Sequence, residues 1–359
     1  MFLAFPWRKE ARRTRGHALP LRMGAALWLG LALTTAHAHR WTGGGLNLQW
    51  SDPNNWSPVG VPGSEDVVYL DHEIILDIST EVGALTLDPS ATSPNAIGGL
   101  SPLGGRNLTL NAGVLNNNGG IFRLNASGLT LVPNGLGESF INGTGQIFMQ
   151  DNAENFVRAT GGVLFHASGH TIVGSGNLLD NQCGMVNHGT ILAAATVFTN
   201  GLGELVMSNA LVIEPGGTNN TFVNDGILEA RGAAGLVFGS GVFELGTNYV
   251  DIYAGSVAIL QSGSVLRGGR WRTLTNPPPA SFARAVRGLA SASGGAPPPA
   301  GVIVPQSDAV LEGVTLAGHA RQENGRWPVI RGGLVNNGLW SMEGGGSTTP
   351  PALRRQSGP

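Results

Sequence analysis

The sequence predicts an all-β chain: a single-stranded parallel β-helix (β-solenoid) with an N-terminal β cap. Three observations carry this. First, a short text recurs. Gly184-Met-Val-Asn-His-Gly-Thr-Ile-Leu-Ala193 is repeated by Phe222-Val-Asn-Asp-Gly-Ile-Leu-Glu-Ala230, so Asn187, Gly189, Ile191 and Ala193 match Asn224, Gly226, Leu228 and Ala230. Leu334-Val-Asn-Asn-Gly-Leu-Trp-Ser-Met342 is a third copy, through Asn336, Gly338 and Trp340, and Val114-Leu-Asn-Asn-Asn-Gly-Gly-Ile-Phe-Arg-Leu124 a looser fourth. Second, each copy is a corner followed by a short alternating strand. Asn and Gly tolerate the left-handed backbone of a sharp turn, and the residues after them alternate with period two, Ile191, Leu228 and Trp340 on one side and Leu192, Glu229 and Ser341 on the other. Third, the composition suits corners and strands: 56 of 359 residues are Gly and 12% are charged, with almost no helical periodicity. One turn and one strand, repeated and stacked, make a solenoid.

Taken in order, residues 1–38 read as an export signal. A basic start, with Arg8, Lys9, Arg12, Arg13, Arg15 and Arg22, leads into the apolar run Met23–Leu33 and then Ala36-His-Ala38, an A-x-A cleavage signature. The apolar run is too short to span a bilayer comfortably, so no transmembrane segment is expected after cleavage. Removing six cations and one anion takes the formal charge from −2 to about −7, which disfavours a nucleic-acid partner.

Residues 39–106 carry Trp41, Trp50, Trp56, Pro62 and Asp66 in a Gly/Pro/Asn-rich setting. The first coil of a stack exposes apolar core and unpaired backbone, and tryptophans bury much area without long strands, so this region is expected to cap the helix; the sharper alternative is a carbohydrate-binding aromatic platform. Repeats then run through 107–275. With Ile121, Ile147, Val163, Ile191, Leu205, Leu228 and Val242 taken as equivalent, the step is about 20 residues, within the range of solenoid coils. Pairs such as Ile147/Met149 and Leu211/Ile213 are expected to point inward, and Asn side chains at successive corners to stack. Residues 276–300, bracketed by two Pro-Pro-Pro runs, read as an inserted loop, because proline donates nothing to a ladder. Further coils are expected over 301–343 and a disordered tail over 344–359.

The segment Trp41-Thr-Gly-Gly-Gly45, Trp50, Asn55-Trp56, Pro62, Asp66-Val67, followed by the Asn187–Ala193 and Asn224–Ala230 units, resembles bacterial exported parallel β-helix repeat proteins of the autotransporter-passenger-like, adhesin-like kind. Residues 50–67 also look somewhat like the opening of G8-type extracellular domains. The passenger resemblance covers most of 39–343. It implies a secreted or cell-surface structural module, extracellular partners that are glycan or protein, no cofactor, and no catalytic residues to carry over.

Parallel β-helices also serve as polysaccharide lyases and hydrolases, which is the alternative reading. Such chemistry needs carboxylates converging from neighbouring coils. Asp151, Glu154 and Asp180 are the candidates, with Arg158 as a possible base; none recurs at the coil spacing. His166-Ala-Ser-Gly-His170 has a spacing that binds metal on a helix, but its flanks predict strand–turn–strand, so no metal site is expected. Arg267, Arg270, Arg272, Arg284 and Arg287 are the local concentration of positive charge, either a solvated surface or a contact for an acidic glycan. The lone Cys183 permits no intrachain disulfide.

Overall fold

The computed structural model describes residues 37–89, 99–194, 198–199, 205–206, 209–217, 221–231, 234–274, 301–323 and 325–342. Residues 1–36 of the expected export signal, the whole of the expected inserted loop 276–300 and the expected tail 344–359 lie outside these residues. One 29-stranded sheet winds as a parallel β-helix. Apart from Trp56–Ser57 on Ala38–Trp41 and the hairpin of Phe198–Thr199 with Leu205–Val206, both antiparallel, strands with consecutive places in the chain do not pair. Within the stack they pair in parallel with strands of the neighbouring coils, which creates three long ladders.

On the first face, Val67–Leu70, Thr80–Leu87, Asn107–Asn117, Glu138–Gly143, Val163–His166, Gly184–Asn187, Thr221–Asn224, Gly241–Tyr253, Ser264–Leu274, Val310–Ala317 and Val329–Asn336 pair in turn. The longer of these strands turn a corner and serve two faces. The second face includes Gln146–Met149, Thr171–Gly174, Thr190–Ala193 and Ile227–Ala230. The third includes Phe156–Ala159, Gly176–Leu178, Leu211–Ile213 and Leu236–Phe238.

Alternation supplies the core. Ile147, Ile172, Ile191, Leu228 and Val250 stack on the second face, and Leu211, Leu236 and Ala258 on the third, all without solvent exposure. Met149 and Ile213, expected inward, are also fully buried. Each such Leu or Ile removes roughly 2 kcal/mol worth of apolar surface from water.

Coil length is set differently from the expected mean step of about 20 residues. Ile147 pairs Ile172 and Ile191 pairs Leu228, but Val163 and Val242 lie on the first face, Ile121 pairs the outward Gln146, and Leu205 belongs to an antiparallel hairpin outside the stack. The period of about 20 therefore mixed faces. True coils range from Val68 pairing Leu85 to Leu266 pairing Leu311, since a corner accepts an insertion without disturbing the ladders on either side.

Parallel stacking is already present before residue 107: Ala38–Trp41 pairs Val67–Leu70, which pairs Thr80–Leu87. What sits above it is a short wrap. Trp56–Ser57 pairs Ala38–Trp41 in the antiparallel sense, closing the first face, while Gln49 bridges Ile75 over the second. Trp41, Trp50 and Trp56 lie at 5%, 0% and 1% exposure. Trp56 meets Trp41 and Trp50 edge-on, with ring centroids 5.1 and 4.8 Å apart, and its Nε1 donates to the Trp50 carbonyl at 2.8 Å. Rings packed this way offer no open face for a sugar. Pro62 is buried, and Asp66 accepts from the Gly63 N–H at 2.7 Å and lies 3.3 Å from the His39 ring. Asp52 caps the 3-10 turn Pro53–Asn55; the Asn54 backbone N–H holds its carboxyl below the usual range.

Candidate functional site

The repeated Asn marks the corner between the first and second faces. Asn187 and Asn224 are register partners, and Asn187 Nδ2 donates to Asn224 Oδ1 at 2.7 Å in the interior. The Asn stack expected from sequence thus exists, and it continues through histidines. Asn187 Oδ1 lies 2.6 Å from His166 Nδ1, His166 Nε2 lies 2.9 Å from His170 Nδ1, and His170 Nε2 lies 3.3 Å from Asn117 Nδ2. All five residues are at most 1% exposed.

The donors fix one direction. Asn117 Nδ2 can only donate, so His170 Nε2 accepts and its Nδ1–H donates to His166 Nε2; His166 Nδ1–H then donates to Asn187. Both rings are neutral, and burial pushes their pKa values down to about 4 for His166 and about 3 for His170. The two imidazoles therefore meet after all, in the core and not on an open face. Among the described residues no group of three or more His, Cys, Asp or Glu is placed to hold a metal ion. Gly226 keeps this corner tight: a Cβ there would fall 2.1 Å from the Gly189 carbonyl oxygen.

The third copy of the motif occupies a different corner. Asn336 pairs Leu316 on the second face and is exposed, while Trp340 pairs Ala320 on the third. What the copies share is local. Gly189 and Gly338 each donate N–H to the side-chain oxygen of the Asn two residues before, at 3.2 and 3.1 Å, and this Asx turn suits any corner.

The four candidate catalytic residues do not form one site. Arg158 and Asp180 make an ion pair on the third face, with the Arg158 guanidinium 4.4 Å from the Phe156 ring centroid. Asp151 lies in the turn that enters this face and accepts from the Asn209 backbone and side chain, both at 3.1 Å. Glu154 is exposed in the same turn. Strand Phe156–Ala159 lies between the two locations, roughly 13 Å of chain at strand rise. Leu179, Asp180 and Asn181 all have positive φ, 75°, 47° and 54°. Asp180 thus sits on a strained corner and is held by Arg158.

A denser cluster lies where sequence reading saw only alternation. Glu229, Asp251 and Arg272 are successive register partners on the outward side of the second face. Glu229 is 6% and Asp251 8% exposed. Arg272 forks onto Asp251 with two bonds of 2.7 Å, and Arg231 pairs with Glu229. Burial raises the pKa of Glu229, opposed in part by Arg231. Hydrogen bonding to Asp251 raises that of Arg272. Leu192, one coil before Glu229, joins Val173 and Ala194 in a small apolar cluster outside the main core. Nothing in the sequence pairs residues 229, 251 and 272; only the coil lengths, with their insertions, bring them together.

The arginine concentration divides at the corner through Gly268 and Gly269, which have φ of 69° and 83°. Arg267 faces out on the first face between Glu244 and Glu312, at 2.7 and 3.1 Å. Arg270 and Arg272 emerge on the second face. Arg284 and Arg287 lie outside the described residues. Cys183 is buried, its thiol pKa pushed up to about 11, and Sγ accepts from the Ala159 N–H at 3.3 Å. No helix among the described residues is long and apolar enough to cross a membrane. Comparison of the chain with models of known families, with curated proteins and with solved structures gives no match in any of the three.

Proposed function

We propose that this chain is an exported, non-enzymatic β-helix module, structural or adhesin-like, that presents its outward rows to a glycan or protein outside the cell. The observation that carries the reading is the state of the outward carboxylates. Glu73, Asp180, Glu229, Asp251, Glu244, Glu312 and Glu323 are each held by an arginine. A general acid or base must exchange its proton with substrate, whereas these groups tie one coil to the next or brace a corner. The export signature and the resemblance of the opening segment support a location beyond the cytoplasm.

A second reading, a polysaccharide lyase or hydrolase, is favoured by one arrangement: Glu229 and Asp251 stacked on adjacent coils, about 4.8 Å apart along the helix. One experiment separates the two. Purified protein is incubated with acidic and neutral polysaccharides, and reducing ends and unsaturated products are measured. The scaffold reading expects binding without turnover. Turnover abolished by Glu229→Gln, Asp251→Asn, Asp151→Asn or Asp180→Asn would replace it with the enzyme reading. Cell fractionation with N-terminal sequencing tests export; a cytoplasmic chain that retains Met1 would remove the basis for a surface module.

A further inference from the structure

One outward row of the second face carries groups that the ion-pair ladders leave unused. Tyr249, Arg270 and Thr315 are register partners on three successive coils. Ile227 lies one coil earlier, beside Leu228, the partner of Val250. Ile227 and Tyr249 are 44% and 41% exposed, and Arg270 is exposed as well. Arg40, Arg123, Arg158, Arg231, Arg267, Arg272 and Arg321 each face a carboxylate. Arg270, among the described residues, faces none: its Nη1 lies 3.4 Å from the Tyr249 hydroxyl and its guanidinium 5.8 Å from the Tyr249 centroid. The Tyr249 ring is held from the other row. Arg272, locked onto Asp251, places its guanidinium 3.7 Å from that centroid.

The geometry points to this row as a subsite for the uronate units of an acidic polysaccharide laid along the helix axis. The inference deepens the glycan-presenting reading and rests on it. Arg270 supplies a planar fork matched to a carboxylate, with no acid paired to it among the described residues. Tyr249 and Ile227 offer apolar surface to the C–H face of a sugar ring, and the Tyr249 and Thr315 hydroxyls can exchange hydrogen bonds with its hydroxyls. Arg272 fixes the tyrosine before the ligand arrives, which lowers the ordering cost of binding. A phosphate backbone fits less well: it calls for several uncommitted cations in a row, and here an unpaired arginine follows a tyrosine and an exposed isoleucine.

The test uses the full exported chain with three probes: a polygalacturonate oligomer, its methyl ester and a neutral dextran, measured by calorimetry at low salt. Polygalacturonate is expected to bind, to weaken on adding salt, and to lose most of its affinity on esterification. Arg270→Gln and Tyr249→Ala should each reduce affinity about tenfold or more with an unchanged melting temperature, since both side chains are exposed. Equal binding of acid and ester, or Arg270→Gln binding like the parent, would overturn the subsite. Binding of dextran alone would overturn it while leaving the glycan-presenting reading in place. Failure of all three probes would overturn the subsite and leave the protein-partner form of that reading.

Discussion

Asn187 and Asn224, 37 residues apart in the chain, hydrogen-bond side chain to side chain at 2.7 Å inside the helix. The link joins two coils across an insertion and extends a buried polar line that starts at Asn117. In a core built mostly of apolar side chains, that line specifies which corner stacks on which, because a slipped coil would strand amide and imidazole groups without partners.

Asn187→Ala should therefore cost more than a typical core truncation of its size. It leaves His166 Nδ1–H and the Asn224 oxygen unsatisfied in the interior, a loss of about 2–4 kcal/mol. Urea unfolding of the variant against the parent measures it.

The histidine pair sets an acid limit on stability. Both rings are neutral when folded, with pKa values of about 4 and 3 against an ordinary value of 6.5. As pH falls below about 6.5 the unfolded chain takes up protons first, so folding weakens, and the loss levels off only below the folded values. A urea midpoint that declines from pH 7 to pH 4 is expected, with a shallower decline in His170→Asn. A midpoint independent of pH in that window would contradict the buried, neutral assignment.

Ile191 tests the apolar ladder. It is fully buried between Ile172 and Leu228, with no cation beside it among its register partners. Ile191→Asp should unfold the surrounding coils, while Ile191→Val should cost only about 0.5–1.5 kcal/mol. Thermal melts followed by circular dichroism distinguish the two.

Much of the fold was legible because it is written in local text. Alternation identified Ile147, Ile191 and Leu211 as inward, and Asn followed two residues later by Gly identified corners. The motif did not say which of three corners it marks, since an Asx turn satisfies its own backbone wherever it occurs. That is why Asn336 was grouped with Asn187 although it ends a strand on another face. The same ambiguity hid the Glu229–Asp251–Arg272 cluster: which residues stack depends on coil lengths, and insertions change these without a period. Asp151 and Asp180 are candidates that nothing in the sequence pairs, and a strand of the third face separates them.

The central claim, parallel coils stacked in register across long insertions, is tested most directly by pyrene labelling in a Cys183→Ser background. Thr190 and Ile227 are register partners on the outward side of the second face, whereas Val212 faces outward on the third. With pyrene at Thr190→Cys and Ile227→Cys, rings on strands about 4.8 Å apart should give strong excimer emission, lost on unfolding. The pair Thr190→Cys and Val212→Cys should show monomer emission alone. Equal excimer from both pairs, or none from the first in a folded protein, would contradict the account.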